Sequence, residues 1–256
     1  MGKFNSSELR VVPLMNEIKK NPKILNSIMD MLTNGKIKTL QPPMQMYYGS
    51  GKDGHGEKRL RPTKLHLMKL VMHFAGCERP TTLKKREDLF GLNGPDKLDE
   101  AVAEALRLIE EYYQTGKPTV PREWYIFEGN TAPDFYIEGE DYIVVGEGKL
   151  TEGDITLTTT HLKGEEKRCQ MIRHIQATLN ETHLKGNNKK VYAFYIVKKG
   201  CPYEDKLTKK ALAEQIKNET IDIPLVEQKM ILESFYGYTT WEDIEDLNLG
   251  IHFKTL

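Results

Sequence analysis

Residues 132–150 constrain the fold of this 256-residue chain more than any other segment, because they place charged side chains on an otherwise apolar hairpin. The sequence APDFYIEGEDYIVVGEGKL is typical of two strands separated by the turn EGED. Asp134 begins the first strand, and Glu147 and Lys149 lie at the end of the second. Strands rarely carry acidic residues or lysine in their middles. These three side chains therefore need a chemical reason for their positions.

The segments on both sides of the hairpin predict a mixed-sheet α/β domain. An amphipathic helix over residues 96–116 precedes it, with Gly116 at the position of a C-cap. A strand-like segment over residues 123–129 completes an antiparallel meander with the hairpin. A helix, a continuous apolar strand and two further helices are predicted over residues 165–186, 189–200, 204–220 and 239–247. The predicted order from residue 96 is α-β-β-β-α-β-α, with helices on both faces of one sheet.

The N-terminal third differs from the rest in charge. Residues 1–92 hold 17 Lys and Arg against 8 Asp and Glu, whereas residues 93–256 hold 20 against 29. We therefore divide the chain into a basic, helical, nucleic-acid-binding region over 1–92 and a core domain over 93–256. Such an asymmetry suits a protein that holds a polyanion with one part and metal ions with the other, although solvated surface would give the same counts. Within the first region, helices are predicted over residues 8–21, 22–35 and 64–76, and a loop over 41–64.

Pro133-Asp134 followed by Glu147-Gly148-Lys149 resembles the motif of the PD-(D/E)xK nuclease superfamily. The order of elements over residues 96–200 is similar to the restriction-endonuclease-like αβββαβ core, a central mixed sheet flanked by helices. The resemblance implies a Mg²⁺-dependent phosphodiesterase, with Mn²⁺ able to substitute. It also implies that Asp134, Glu147 and the carbonyl of Gly148 bind the metal and that Lys149 lies beside the attacking water.

The chemistry of these residues agrees with that role. Mg²⁺ prefers oxygen ligands and usually takes one or two protein carboxylates, which Asp134 and Glu147 could supply from adjacent strands. Lys149 follows Glu147 by two residues, so both point to the same face of the strand. Its ammonium group would offset negative charge in the transition state. The alternative is an ordinary turn aspartate and a salt-bridged Glu-x-Lys pair on an exposed edge.

A further acidic ligand is predicted from one of two positions. Glu110 lies at the border of the apolar stripe of the helix over 96–116, about 80° from its centre at 3.6 residues per turn. Glu128, at the end of the strand-like segment before the hairpin, is the rival candidate.

Several side chains are predicted to contact nucleic acid. On the helix after the hairpin, Arg168 shares the apolar face, so it either reaches Asp134, Glu147 or a substrate phosphate, or packs its stem and extends its head into solvent. Gln170 and Arg173 lie on the same helix, which also carries His174 and Gln176. His161, His174 and His183 share no metal-ligand spacing, so we expect them to be exposed or hydrogen-bonded. In the loop over 41–64, backbone contacts to a duplex are predicted for Lys52, Lys58, Arg59, Arg61 and Lys64, with a simple solvated loop as the alternative.

The sequence argues against a membrane-spanning, secreted or disulfide-stabilised protein. No apolar run is long enough to span a bilayer, and no basic segment followed by an apolar one opens the chain. The three cysteines form no CxxC pair. We therefore predict a cytoplasmic protein without a membrane partner.

The predicted function is a DNA endonuclease of restriction or defence type. A catalytically silent nucleic-acid-binding protein with the same fold, or an RNA-cleaving nuclease, remain the alternatives. Cutting both strands of a duplex at one place usually needs two active sites, which favours a homodimer.

Overall fold

The structure is a computed structural model that describes residues 7–37, 39–49, 56–75, 98–116, 130–150, 168–219, 221–251 and 253. Within these residues the chain forms one five-stranded sheet with helices on both faces. The predicted α/β class with a mixed sheet is therefore confirmed. Within the described residues, no helix is long and apolar enough to cross a membrane.

The sheet has its strands in chain order, with antiparallel pairing at one end and parallel pairing at the other. β1 pairs with β2 and β2 with β3 in antiparallel fashion, whereas β3–β4 and β4–β5 are parallel. The five strands are β1 Gln45–Tyr48, β2 Phe135–Glu138, β3 Tyr142–Gly148, β4 Lys190–Val197 and β5 Phe235–Thr240.

Strand β1 corrects one sequence prediction, since it lies within residues 41–64, where a loop was expected. Met46 and Tyr48 are buried while Gln45 is exposed, so the burial of side chains alternates along the segment, as in an edge strand. Met46 lies opposite Ile137 and Tyr48 opposite Phe135. Pairing with the hairpin thus overrides the high local content of Pro and Gly. The strand predicted over 123–129 lies outside the described residues.

The helices largely follow the predicted pattern. Thr208 and Thr240 act as N-caps, since their hydroxyls accept hydrogen bonds from the backbone N–H groups of Ala211 and Asp243. Gly116 has φ +70° just after a helix end, as a C-cap requires. The helices of the described residues are α1 Val12–Lys20, α2 Lys23–Leu32, α3 Lys64–Ala75, α4 Leu98–Thr115, α5 Gln170–Leu184, α6 Lys209–Lys217, α7 Leu225–Ser234 and α8 Trp241–Asp246. A π-helical turn, Ser7–Val11, leads into α1, and a 3₁₀ turn, Glu204–Leu207, precedes α6.

Helix α7 and strand β5 were not predicted from the sequence. Leu225 and Val226 at the start of α7 are exposed, so this helix has no clear apolar stripe in its sequence. Strand β5 follows α7 without a connecting residue and lies parallel to β4.

The helices divide between the two faces of the sheet. Helices α1, α2 and α8 cover one face, where Leu14, Ile28 and Trp241 share a core with Phe135 and Phe194. Helices α5, α6 and α7 cover the other face. Helices α3 and α4 pack against each other in a smaller cluster.

The predicted division between residues 92 and 93 lies outside the described residues. Within the described residues, α1, α2 and β1 belong to the same core as the later strands.

We expect Leu14→Ala to lower the free energy of unfolding by about 2–5 kcal/mol, because the leucine is fully buried between α1 and the sheet. Leu184→Ala makes the same chemical change at a side chain that is 48% exposed and should change stability by less than about 0.5 kcal/mol. Urea denaturation followed by circular dichroism measures both. A separate early transition for the N-terminal helices of the Leu14 variant would contradict a shared core.

Candidate active site

Asp134 and Glu147 meet where β2 begins and β3 ends. Phe135 is paired with Gly146 in the antiparallel register. Asp134, which precedes Phe135, therefore lies beside Glu147, which follows Gly146. The charge of Glu147 raises the pKa of Asp134, as expected for neighbouring carboxyl groups. The Oδ2 atom of Asp134 also accepts a hydrogen bond of 2.9 Å from the backbone N–H of Gly148. The hairpin register therefore brings the two predicted acids together.

Glu147 is a buried carboxylate with a partner on each oxygen. The Nζ atom of Lys149 lies 2.7 Å from Oε2, and the two side chains are 16% and 1% exposed. The Nε2 atom of His174, on α5, lies 2.5 Å from Oε1. Glu147 shares the α5 face of β3 with Ile143 and Val145, as period-two alternation predicts. The predicted Glu147–Lys149 neighbourhood is therefore present, inside the protein rather than on an exposed edge.

The two acids have pKa values that move in opposite directions. Burial, and then the negative charge of Glu147, raise the pKa of Asp134 well above its usual range. Burial alone would also raise the pKa of Glu147, but Lys149 and His174 outweigh it and lower that pKa to about 2. Ionisation is therefore unfavourable at Asp134, whereas Glu147 is ionised throughout the physiological range.

His174 is a buried ring hydrogen-bonded to two partners. Burial lowers the pKa of His174, whereas Glu147 raises it. Since a carboxylate can only accept, Nε2–H donates to Glu147, and in this tautomer Nδ1 accepts from the hydroxyl of Thr131 at 2.7 Å. The expectation of an exposed or hydrogen-bonded histidine is confirmed, with the hydrogen-bonded form observed. Its place behind a site carboxylate was not predicted.

Glu57 is a third acid whose pKa responds to the charges of this site, and the sequence did not indicate it. Glu57 is exposed as a whole residue, yet partial burial of its carboxyl group raises its pKa. The negative charge of Glu147 raises this pKa further. Arg59 and Lys149 lower that pKa in turn. Glu57 follows a glycine-rich sequence, in which no periodicity relates it to the hairpin, so the local sequence gave no indication of this proximity in charge.

Only one of the two predicted additional acids, Glu110, lies within the described residues. Glu110 forms an ion pair with Lys64, which links α4 to α3, and both side chains are largely exposed. Glu128 lies outside the described residues.

The side chain of Arg168 is buried, so its head does not extend into solvent, and its predicted contact with a substrate phosphate stays a prediction. Arg168 precedes α5 and donates to Glu219 through Nε and to Gln176 through Nη2. Its Nη1 atom lies 3.1 Å from Nε2 of His66 on α3. The arginine therefore neutralises a buried carboxylate, that of Glu219, between helices.

The other predicted nucleic-acid contacts are distributed over buried and exposed positions. Arg173 is buried and Gln170 is partly buried. Lys58 lies over the ring of Tyr47 at 4.4 Å, and Arg61 forms a 3.3 Å ion pair with Glu181. Arg59 is exposed, and Lys52 lies outside the described residues.

The donor set at the site fits a hard divalent cation, although within the described ranges no group of three or more His, Cys, Asp or Glu is arranged to hold a metal ion. Asp134 and Glu147 supply oxygen donors, and a buried pair of acids with one raised pKa is stabilised by positive charge. Mg²⁺ needs few protein ligands because it retains water. The predicted role of the Gly148 carbonyl stays a prediction, while its N–H orients Asp134.

Comparison with known proteins gives no relative. No protein-family model, no curated protein and no solved structure matches the chain. The restriction-endonuclease-like fold therefore stays a prediction, carried by the motif residues and the order of elements.

We expect Asp134→Asn to stabilise the protein at neutral pH in the presence of EDTA, by on the order of 1 kcal/mol, because it removes an unfavourable charge beside Glu147. The amide oxygen can still accept from Gly148 N–H. Because the folded pKa of Asp134 is raised, its destabilising effect is absent below the unfolded value of 3.8 and grows as pH rises through the folded pKa. The difference in the free energy of unfolding between variant and wild type should therefore increase with rising pH.

Urea denaturation between pH 4 and 8 measures this difference. The control is Asp141→Asn, at an exposed acid in the turn of the same hairpin, which should stay within about 0.5 kcal/mol of wild type. A destabilised Asp134→Asn protein would show that the ionised carboxylate is favourable in the fold.

Proposed function

We propose that this protein is a metal-dependent nuclease of the PD-(D/E)xK type, with the restriction-endonuclease-like fold, that hydrolyses phosphodiester bonds in DNA. One observation carries the proposal: Asp134, Glu147 and Lys149 converge at one end of β2 and β3, with the Lys149 ammonium group 2.7 Å from Glu147. A buried pair of acids with a lysine beside it is costly to a structural hairpin, so a chemical role accounts for it better.

Asp134 and Glu147 would hold a Mg²⁺ or Mn²⁺ ion, which when bound acidifies a water and neutralises charge on the scissile phosphate. Asp134 is oriented for this by the N–H of Gly148, and Glu147 by Lys149 and His174. Fixing both carboxylates before substrate arrives reduces the reorganisation needed during reaction.

Lys149 serves the attacking water. Its ammonium group lies 2.7 Å from Glu147. From there it would orient the water for in-line attack and stabilise negative charge on the phosphoryl oxygens.

The substrate side of the proposal rests on basic residues near the site. Arg59 lies close enough to Glu57 to lower its pKa, and Glu57 in turn responds to Glu147 and Lys149. Contacts from Arg59 and its neighbours to phosphates would position the duplex without reading its sequence. A restriction or defence role, and a homodimer for double-strand cutting, follow by analogy with the family.

We expect Lys149→Ala to reduce cleavage by roughly 10²- to 10⁴-fold, the range for a group that assists a proton transfer. The assay is cleavage of supercoiled plasmid and linear DNA with Mg²⁺, Mn²⁺ or EDTA. The matched control is Lys189→Ala, because Lys189 pairs with Glu138 at 2.8 Å toward the opposite end of the sheet. Lys189→Ala should cut at the wild-type rate.

Each outcome separates the proposal from its alternatives. Cutting that depends on metal, is lost in Lys149→Ala and is kept in Lys189→Ala supports the nuclease. Cleavage of RNA but not DNA would show an RNA nuclease. A folded wild-type protein that binds nucleic acid without cutting it, unaffected by Lys149→Ala, would show a catalytically silent binding protein.

A further inference from the structure

A chain of hydrogen bonds extends from Glu147 to the backbone of the basic segment, residues 56–61. Glu147 accepts from Nε2 of His174 at 2.5 Å, and Nδ1 of His174 accepts from Thr131 at 2.7 Å. Thr131 is joined to Leu60 by two backbone hydrogen bonds, of 2.8 and 2.9 Å. Each of these four residues is buried, so water cannot replace a partner that is lost.

The carboxylate of Glu147 determines the first direction of donation along this chain. It can only accept, so the His174 ring donates through Nε2, and in this tautomer Nδ1 accepts from the Thr131 hydroxyl. If that hydroxyl is removed, Nδ1 is left without a donor in the protein interior. The ring can then turn or adopt the other tautomer, which would present a lone pair to Glu147.

We propose that Thr131 and His174 are positioning residues that hold Glu147 in its metal-binding orientation. This inference rests on the proposed nuclease function and goes beyond the motif, since neither residue belongs to the motif. Partners that orient a ligating carboxylate typically change metal affinity or activity by 10–100-fold when they are removed.

The basic segment takes part in this arrangement through Leu60. Leu60 is fully buried, and its two backbone hydrogen bonds set the position of Thr131. Lys58 lies over Tyr47 on one side of Leu60, and Arg61 pairs with Glu181 of α5 on the other. The segment that carries the predicted phosphate contacts is thus anchored to the residue that orients His174.

Thr131→Val tests the inference because valine has the shape of threonine without the hydroxyl. We expect the free protein to bind Mn²⁺ roughly 10-fold more weakly, measured from the electron paramagnetic resonance signal of unbound Mn²⁺. The Mg²⁺ concentration that gives half-maximal cleavage should rise by a similar factor. Thr131→Ser restores the hydroxyl and should restore both values.

The matched control is Thr178→Val. Thr178 is also buried and lies on α5, but its hydroxyl donates to the backbone carbonyl of His174, whereas that of Thr131 bonds the ring. Loss of one buried hydroxyl lowers stability in both variants, so stability is measured beside metal binding. Only Thr131→Val should change the affinity for Mn²⁺.

The results distinguish this inference from the function on which it rests. If wild type binds Mn²⁺ and cuts, and Lys149→Ala does not cut, but Thr131→Val matches wild type in both measurements, the positioning role is wrong and the nuclease stands. If wild type neither binds Mn²⁺ nor cuts, both are overturned. Equal weakening in Thr131→Val and Thr178→Val would show a general effect of stability and also overturn the positioning role.

Discussion

The burial of an ionised carboxylate at Glu147 is the constraint on which the rest of the site depends. Removing a carboxylate from water costs several kcal/mol unless each oxygen finds a partner. Lys149 and His174 provide those partners, and together they lower the pKa of Glu147 to about 2 despite its burial. Asp134, beside the same charge, has its pKa raised instead. The polar residues around Glu147 can therefore be understood as the conditions for keeping it charged inside the protein.

The residues on the opposite face of β3 explain why this strand can present its charges to α5. Gly146 and Gly148 alternate with Glu147 and lie against the other core. A Cβ atom at Gly146 would lie 2.3 Å from the backbone oxygen of Phe194, and one at Gly148 would lie 2.5 Å from Val11. The close approach leaves room for glycine alone. Trp241 also donates through Nε1 to the Lys149 carbonyl at 3.0 Å. A residue on the uncharged side of the sheet therefore fixes the backbone at the end of β3.

The sequence predicted the centre of the site better than its surroundings, for a physical reason. Asp134, Glu147 and Lys149 lie on one hairpin, where period-two alternation and a short turn determine which side chains meet. Long-range contacts follow no such period, so Glu57 and the strand β1 could not be placed beside the hairpin from local pattern. Arg168 was assigned to the face of a helix, but its partners come from α3, α5 and the residue Glu219.

Helix α5 shows why polar residues on a helix need not form a binding surface. Its sequence suggested several phosphate-contacting side chains, yet three of them, Arg173, His174 and Gln176, are buried. The helix lies between the sheet and α7, so each polar group must find a partner within the protein. Gln176 accepts from Arg168 and donates to Glu227 of α7 at 3.0 Å, while His174 bonds Thr131 and Glu147 on the side of the sheet. Polar contacts thus hold α5 on two sides. A helix fixed in this way restricts the ring of His174 to one orientation, and through it the carboxylate of Glu147.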